Sequence, residues 1–220
     1  MEQRLDRLHA QARGWFPLQR LAITSRILLA LAFVPTALVK VQGLPFTVMS
    51  TDTPVGYFFD AMHRTGAYWR FIGWAQLLAG VLLLVPRTAL AGAIIFFPIV
   101  LNIFVITVAL GFRGTPFITG PMVLAALYLL CWDYHRLKAI LFPDTRSIGP
   151  VPAGVPVGRL ELAGYVTVTA TGLVVLAATR SLVPSGAIRP GLLVGAAGGL
   201  MVLAAWFTAL RRPGAAPVAG

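Results

Sequence analysis

The sequence predicts an all-α membrane protein: a four-helix transmembrane bundle, two further transmembrane helices and a short amphipathic interfacial helix. Three observations predict it. Apolar residues make up 58% of the 220-residue chain and charged residues 11%, whereas a soluble domain carries roughly 25% charged and 45–50% apolar residues. The apolar residues gather into six runs of spanning or near-spanning length. The charged residues fall in the short stretches between those runs, where they anchor to headgroups and set topology.

Residues 1–20 read either as a basic amphipathic surface helix or as a disordered basic tail. Leu5, Leu8, Ala12, Trp15 and Phe16 fall near one face at helical spacing, and Arg4, Arg7, Gln11 and Arg13 lie around the other. A signal peptide is not expected, because the apolar run starts late and lacks a small-x-small cleavage site. The first span is placed at 21–41, with Arg26 near its start, Lys40 at its end and Pro35 as a kink. At 1.5 Å per residue the two charges are roughly 21 Å apart along the axis, so each can snorkel to an opposite headgroup region.

The next connection contains a short amphipathic helix. Thr53 is its N-cap and Pro54 its first residue. Val55, Phe58, Phe59 and Met62 repeat on one face, Asp60 and Arg64 pair at i,i+4, and Gly66 ends it. It is too short to span. Tyr57, Tyr68 and Trp69 suit an aromatic belt. Spans two and three, 68–85 and 89–112, are joined only by Pro86, Arg87 and Thr88 and form a tight hairpin. Span four, 117–132, opens with Thr115 as N-cap and Pro116 at N1 and is interrupted by Pro121, which makes it the weakest of the six. A polar, Pro/Gly-rich connection over 143–159 follows a boundary at Asp133, Tyr134, His135 and Arg136. Spans five and six, 160–178 and 191–210, make a C-terminal hairpin, and 211–220 read as a disordered tail.

The net charge of +11 would suggest nucleic acid in a soluble protein. Here the basic residues sit in short stretches between apolar runs, so a nucleic-acid partner is not expected. Membrane lipids are. With the N-terminus inside, eleven Lys and Arg lie on the cytoplasmic side and six on the other, leaving out Arg26. That asymmetry places both termini in the cytoplasm. Cys131 is the sole cysteine, which excludes an internal disulfide or a Cys-x-x-Cys redox pair. Cys131 and His135 share a helical face while Asp133 points away, too few ligands for a structural metal site. His63 reads as a solvated residue on the polar side of the amphipathic helix.

A polar group in hydrocarbon costs several kcal/mol without a partner, so midspan polar residues draw attention. Gln76 lies about eleven residues before the turn between spans two and three, and Asn102 about fourteen after it. Their depths therefore differ by roughly 4–5 Å. They read either as an interhelical amide pair, worth roughly 0.6–2 kcal/mol, or as a ligand site. Arg26 and Lys40 read either as interfacial anchors or as residues that hold an anionic headgroup, a substrate carbonyl or a partner subunit. Gly191, Gly195 and Gly199 in span six, opposite Ala163, Thr167 and Thr171 in span five, form small-residue faces suited to each other or to a membrane protein partner.

Arg26, Lys40, the segment Gly73-Trp-Ala-Gln-Leu-Leu-Ala-Gly80, the following Val81-Leu-Leu-Leu-Val-Pro-Arg-Thr88 and a glycine-containing third span carry a resemblance. Across about residues 20–142 the chain resembles the DoxX-like family of small four-helix membrane proteins. The resemblance implies a DoxX-like domain over 21–142, a bacterial cytoplasmic (inner) membrane location, and a link to quinone-coupled sulfur oxidation or membrane redox-stress complexes. A glutamate often stands in that family where this chain has Gln76, which removes a proton and a charge. The expected function is a membrane subunit or accessory protein of a quinone-linked redox system, with quinone or lipid near Gln76 and Asn102. The other readings are a small transporter and an assembly factor for a membrane complex. No catalytic residue is identified.

Overall fold

The computed structural model describes residues 2–141 and 154–211. In chain order the helices are α1 Glu2–Gly14, α2 Phe16–Val41, α3 Pro54–Arg64, α4 Ala67–Leu84, α5 Ala89–Ala109, α6 Pro116–Trp132, α7 Tyr134–Leu141, α8 Arg159–Thr179 and α9 Ile188–Leu210. No strand occurs among the described residues. Helices α2, α4, α5, α8 and α9 are long and apolar enough to cross a membrane, and α6 is apolar but has only 17 residues. At 1.5 Å per residue it is about 25 Å long, a little short of a ~30 Å hydrocarbon core. The fold is that of an all-α, multi-pass membrane protein.

Local signals explain most boundaries. Thr53 caps α3, its Oγ1 accepting from the Gly56 N–H at 3.1 Å, and Pro54 fills the first turn. Arg64 pairs with Asp60 at 2.7 Å as the i,i+4 spacing predicts. Thr88 Oγ1 donates to the Leu82 carbonyl at 3.0 Å and closes the α4–α5 turn. Two boundaries differ from the sequence reading. Helix α2 begins at Phe16 rather than at residue 21, because Pro17 occupies its first turn and the polar residues Gln19 and Arg20 are held by other elements. Thr115 does not cap α6 with its side chain; its carbonyl instead accepts from Thr119 Oγ1 at 3.2 Å. The boundary at Asp133 is followed by a further short helix, α7. The predicted connection over 143–159 falls largely outside the described residues, as does the tail beyond Arg211.

Helix α2 is the centre of the molecule, packing on α1, α4, α6 and α8. Small residues of α4 let it come close: a Cβ on Gly80 would lie 2.8 Å from Val34, and one on Gly73 would lie 2.8 Å from the Cβ of Lys40. Leu29 and Phe33 of α2 join Ala79 and Leu83 of α4, Phe96 and Val100 of α5, and Ala126 and Leu129 of α6 in one apolar core. Phe33 and Phe96 stack with centroids 3.8 Å apart.

Helices α8 and α9 pack tightly on each other. A Cβ on Gly164 would sit 2.7 Å from the Gly198 carbonyl oxygen, and Cβ atoms on Gly191 and Gly195 would meet Val175 and Thr171 at 2.6 and 2.9 Å. A Cβ on Gly199 would meet nothing within 4 Å. The close-approach face is therefore Gly191, Gly195 and Gly198. Steps of four drift around a 3.6-residue helix, and the step of three from Gly195 to Gly198 returns to the contact. Two of the three glycines expected on the partner face thus contact α8.

This hairpin is fastened to α2. Arg20 and Glu161 form a buried forked ion pair, Arg20 Nε to Glu161 Oε1 at 2.7 Å and Nη2 to Oε2 at 2.8 Å, their side chains only 2% and 4% exposed. Trp206 Nε1 of α9 donates to Glu161 Oε1 at 2.9 Å. Arg20 also donates to the carbonyls of Val155 and Pro156, and Gln19 Oε1 accepts from the Val155 N–H at 2.8 Å. One guanidinium gathers α2, α8 and the strand of chain leading into α8. Removing one partner strands a buried charge, which costs about 3–5 kcal/mol. Glu161→Ala is expected to lower the unfolding midpoint in mild detergent sharply, while the double change Arg20→Met, Glu161→Leu recovers most of the loss. A single variant that melts with the wild type would refute the clamp.

Candidate functional site at a buried lysine

Two polar ends flank the apolar body: one where α1 and α7 lie, the other where α3 lies. At the α1 end the withdrawn cations have acidic partners. Arg26 pairs with Asp133 at 3.6 Å, and Lys138 with Asp6 at 2.6 Å. His9 Nε2–H donates to the Trp132 carbonyl at 3.0 Å, and the Arg13 guanidinium covers the Trp132 ring at 4.6 Å. Tyr128 O–H donates to the Leu18 carbonyl at 2.7 Å. These contacts dock α1 on the α6–α7 junction. Of the apolar face expected for α1, Leu8 and Trp15 remain exposed. Arg26 is thus not a free snorkelling anchor, and Asp133 is its buried counter-ion rather than a solvated boundary marker.

The α3 end is different. Lys40 is 7% exposed, yet no described carboxylate lies within ion-pair distance. Its Nζ reaches the Thr36 carbonyl at 3.4 Å, a long hydrogen bond. Two aromatic rings wall it, Phe46 at 4.8 Å and Trp69 at 5.3 Å from Nζ to centroid. Such cation–π contacts contribute about 0.5–2 kcal/mol, less than a counter-ion would in a desolvated place.

The chain builds this cage from α2's C-terminus. Gly43 takes φ +74°, its N–H donates to the Lys40 carbonyl at 2.9 Å, and the Leu44 N–H reaches back to the Val39 carbonyl at 3.0 Å. That pair of bonds is a Schellman ending, which needs a residue at ease in the left-handed region. It turns the chain so that Phe46 lies on the lysine. Trp69 Nε1 donates to the Leu44 carbonyl and His63 Nε2–H to the Gly43 carbonyl, each at 2.9 Å. His63 also meets Trp69 edge-on, with centroids 5.9 Å apart. His63 is therefore a strut of the cage and not a solvated residue. Gly73, on the facing side of α4, lets that helix pass against Lys40.

Gln76 is 2% exposed and its Oε1 is buried without a hydrogen-bond partner. It lies one turn deeper than Gly73 on the buried face of α4. Asn102, by contrast, is exposed on α5 and makes no bond to Gln76. Matching depth did not bring the two amides together, because α5 turns Val100 and Phe96 inward and Asn102 out. A groove of about 380 Å³ opens between α5 and α6, lined by Phe104, Pro116, Phe117, Gly120, Pro121, Val123 and Leu124, and neither amide lines it. Of the four candidate residues, then, Lys40 and Gln76 lie on facing helices, Arg26 is at the opposite end, and Asn102 faces outward. Among the described residues no group of three metal-ligating side chains comes together.

Sequence reasoning missed Phe46 as a wall of this site. A single phenylalanine in a loop carries no periodic signal. The glycine at 43, just past the last helical residue, was the available cue.

Fold and site together define a helical multi-pass membrane protein with a buried lysine that no described carboxylate compensates at its α3 end. No protein-family model matches the chain, and no solved structure matches it. A Bacillus subtilis (strain 168) protein named "Uncharacterized protein YwoB" is 37% identical to it over 98 residues. The match takes in 44% of this chain and 57% of that protein, so it spans little more than half of the relative's length.

At the α1 end, His135 has a buried Nδ1 without a hydrogen bond, and its ring lies 5.4 Å from that of His9. Burial, and then the positive charge of Arg13, lower its pKa below the ordinary histidine value. The unfolded chain therefore binds the proton more readily, so stability holds above about pH 6.5 and falls as the pH drops below it. Unfolding midpoints measured from pH 8 downward are expected to show this decline, and His135→Phe is expected to flatten it. An unchanged slope in that variant would show that the titrating group lies elsewhere.

Proposed function

We propose that this chain is a membrane subunit or accessory protein of a quinone-linked redox system, in a bacterial cytoplasmic membrane with both termini cytoplasmic. The observation that carries the reading is the Lys40 ammonium: buried, walled by Phe46 and Trp69, and without a carboxylate among the described residues. Desolvated N–H donors that lack an acceptor suit a carbonyl oxygen, and flat aromatic walls suit a flat conjugated ring. Gln76 Oε1, a buried acceptor without a donor on the facing helix, adds a place for a hydroxyl. This donor and acceptor set fits a quinone, and the resemblance of residues 20–142 to DoxX-like proteins points the same way. A bound quinone would supply the electron-accepting ring. The chain's own residues hold its oxygen and keep water from it.

The proposal moves the ligand from the Gln76–Asn102 pair to the Lys40 mouth. A transporter reading has less support, because the interior shared by α2, α4, α5 and α6 is filled by Phe33, Phe96, Leu83, Val100 and Leu129 rather than by polar groups. An assembly-factor reading loses two of its three glycines to the contact between α8 and α9.

Lys40→Met keeps the length and volume of the side chain and removes the charge. Saturable binding of a short-chain quinone, followed by tryptophan fluorescence, is expected to weaken at least about tenfold, the value of one hydrogen bond to a charged donor. The unfolding midpoint is expected to hold or rise, since a buried charge is gone. Equal quinone affinity in both proteins, or no saturable binding in either, would rule the reading out.

A further inference from the structure

The C-terminal hairpin also reaches the Lys40 mouth. Arg180 closes α8, and its guanidinium lies 5.0 Å from the centroid of the Phe46 ring, the same ring that walls Lys40. A third cation, Arg70, packs against the Gly43 turn: a Cβ there would lie 3.2 Å from its Nη2. The sequence places only two acidic residues in the chain segments of this end, Asp52 and Asp60. Asp52 accepts from Ser50 Oγ at 2.8 Å and Asp60 is bound by Arg64. Neither compensates Lys40 or Arg180. Two cations thus share one aromatic ring, one of them more than nine-tenths buried, with no acid between them. Like charges brought together in a desolvated place repel unless an anion joins them.

We infer that the Lys40 mouth is a site for an anionic oxygen, completed by Arg180 of the hairpin, and that the hairpin is therefore part of the ligand site rather than an appendage. The oxygen could belong to the ionised hydroxyl of a hydroxyquinone or to the phosphate of a lipid headgroup. Both present a compact anion to an ammonium and a guanidinium, and both reach this end from the bilayer. The forked guanidinium of Arg180 suits two oxygens of one group, and the Lys40 ammonium suits a single oxygen. The inference rests on the reading of Lys40 as a ligand contact, but it makes a separate demand: the ligand must carry charge, and α8 must help to hold it.

The test uses the full chain, delipidated in mild detergent, with three probes: 2-hydroxy-1,4-naphthoquinone, which is ionised at neutral pH; an uncharged short-chain ubiquinone analogue; and phosphatidylglycerol detected by native mass spectrometry. Wild-type protein is compared with Arg180→Gln, which removes the charge, and Arg180→Lys, which restores it. At least one anionic probe is expected to bind saturably, to lose about tenfold in affinity in Arg180→Gln, and to recover in Arg180→Lys. If the hydroxynaphthoquinone does so, both the anion site and the quinone reading stand. If only phosphatidylglycerol does so, the anion site stands and the quinone reading falls. Uncharged quinone bound as tightly as the ionised one, and unaffected by Arg180→Gln, would overturn the anion site and leave the quinone reading in place. Failure of all three probes would overturn both.

Discussion

The charges carried on α2 set the terms for the rest of the molecule. This helix runs through the centre of an apolar body and bears Arg20, Arg26 and Lys40, all wholly or largely withdrawn from solvent. A cation in such a place must find a counter-ion, a set of hydrogen-bond acceptors or an aromatic face, because its lost hydration costs several kcal/mol. Arg20 finds Glu161 and two carbonyls, and Arg26 finds Asp133. Helix α8 therefore has to pass close to the start of α2, and the end of α6 has to come back to it. The order in which the helices surround α2 follows from those two pairings as much as from the apolar core.

The hairpin of α8 and α9 is held at two points along the same helix. Glu161 fixes its beginning at the α1 end, and Arg180 places its turn over Phe46 at the other. Between them a Cβ on Gly172 would meet Leu31 of α2 at 3.0 Å, so the approach is close along the way. Trp206 ties the far end of α9 to the same carboxylate. A hairpin anchored in this manner cannot tilt at one end without disturbing the other. The two fastenings lie roughly 28 Å apart along α8, at about 1.5 Å for each residue from 161 to 180.

Much of this was legible in the sequence, because its causes are local. Apolar runs bounded by proline and arginine located the spanning helices, although α2 starts five residues early and α6 falls short of spanning length, and the Thr53–Pro54 start with the Asp60–Arg64 pair specified α3 before any packing was known. What was not legible depended on which residues meet across space. Gln76 and Asn102 agree in depth, but depth says nothing about rotation, and α5 points Asn102 outward. Glu161 drew no notice in the sequence, because its position is defined by Arg20, distant in sequence. His63 looked solvated because its partner is a backbone carbonyl, and backbone carbonyls leave no trace in residue identity. The candidate site was half visible: Lys40 was named for its charge near a span end, while Phe46 and Arg180 join it only through the Gly43 turn and the return of α8.

The remaining asymmetry between the ends of α2 leads back to position 76. Gln76 sits one turn below Gly73, which touches Lys40 across the α2–α4 contact. A carboxylate on this face of α4 would offer Lys40 a counter-ion from within the chain, as Glu161 does for Arg20 and Asp133 for Arg26. An amide of the same shape leaves the lysine charge unmatched and its own Oε1 without a donor. Gln76 and Lys40 thus present an unmet acceptor and a weakly met donor on facing helices. Of the three cations on α2, Lys40 is the one that no described carboxylate neutralises, and a charge left so invites an anion from outside the fold.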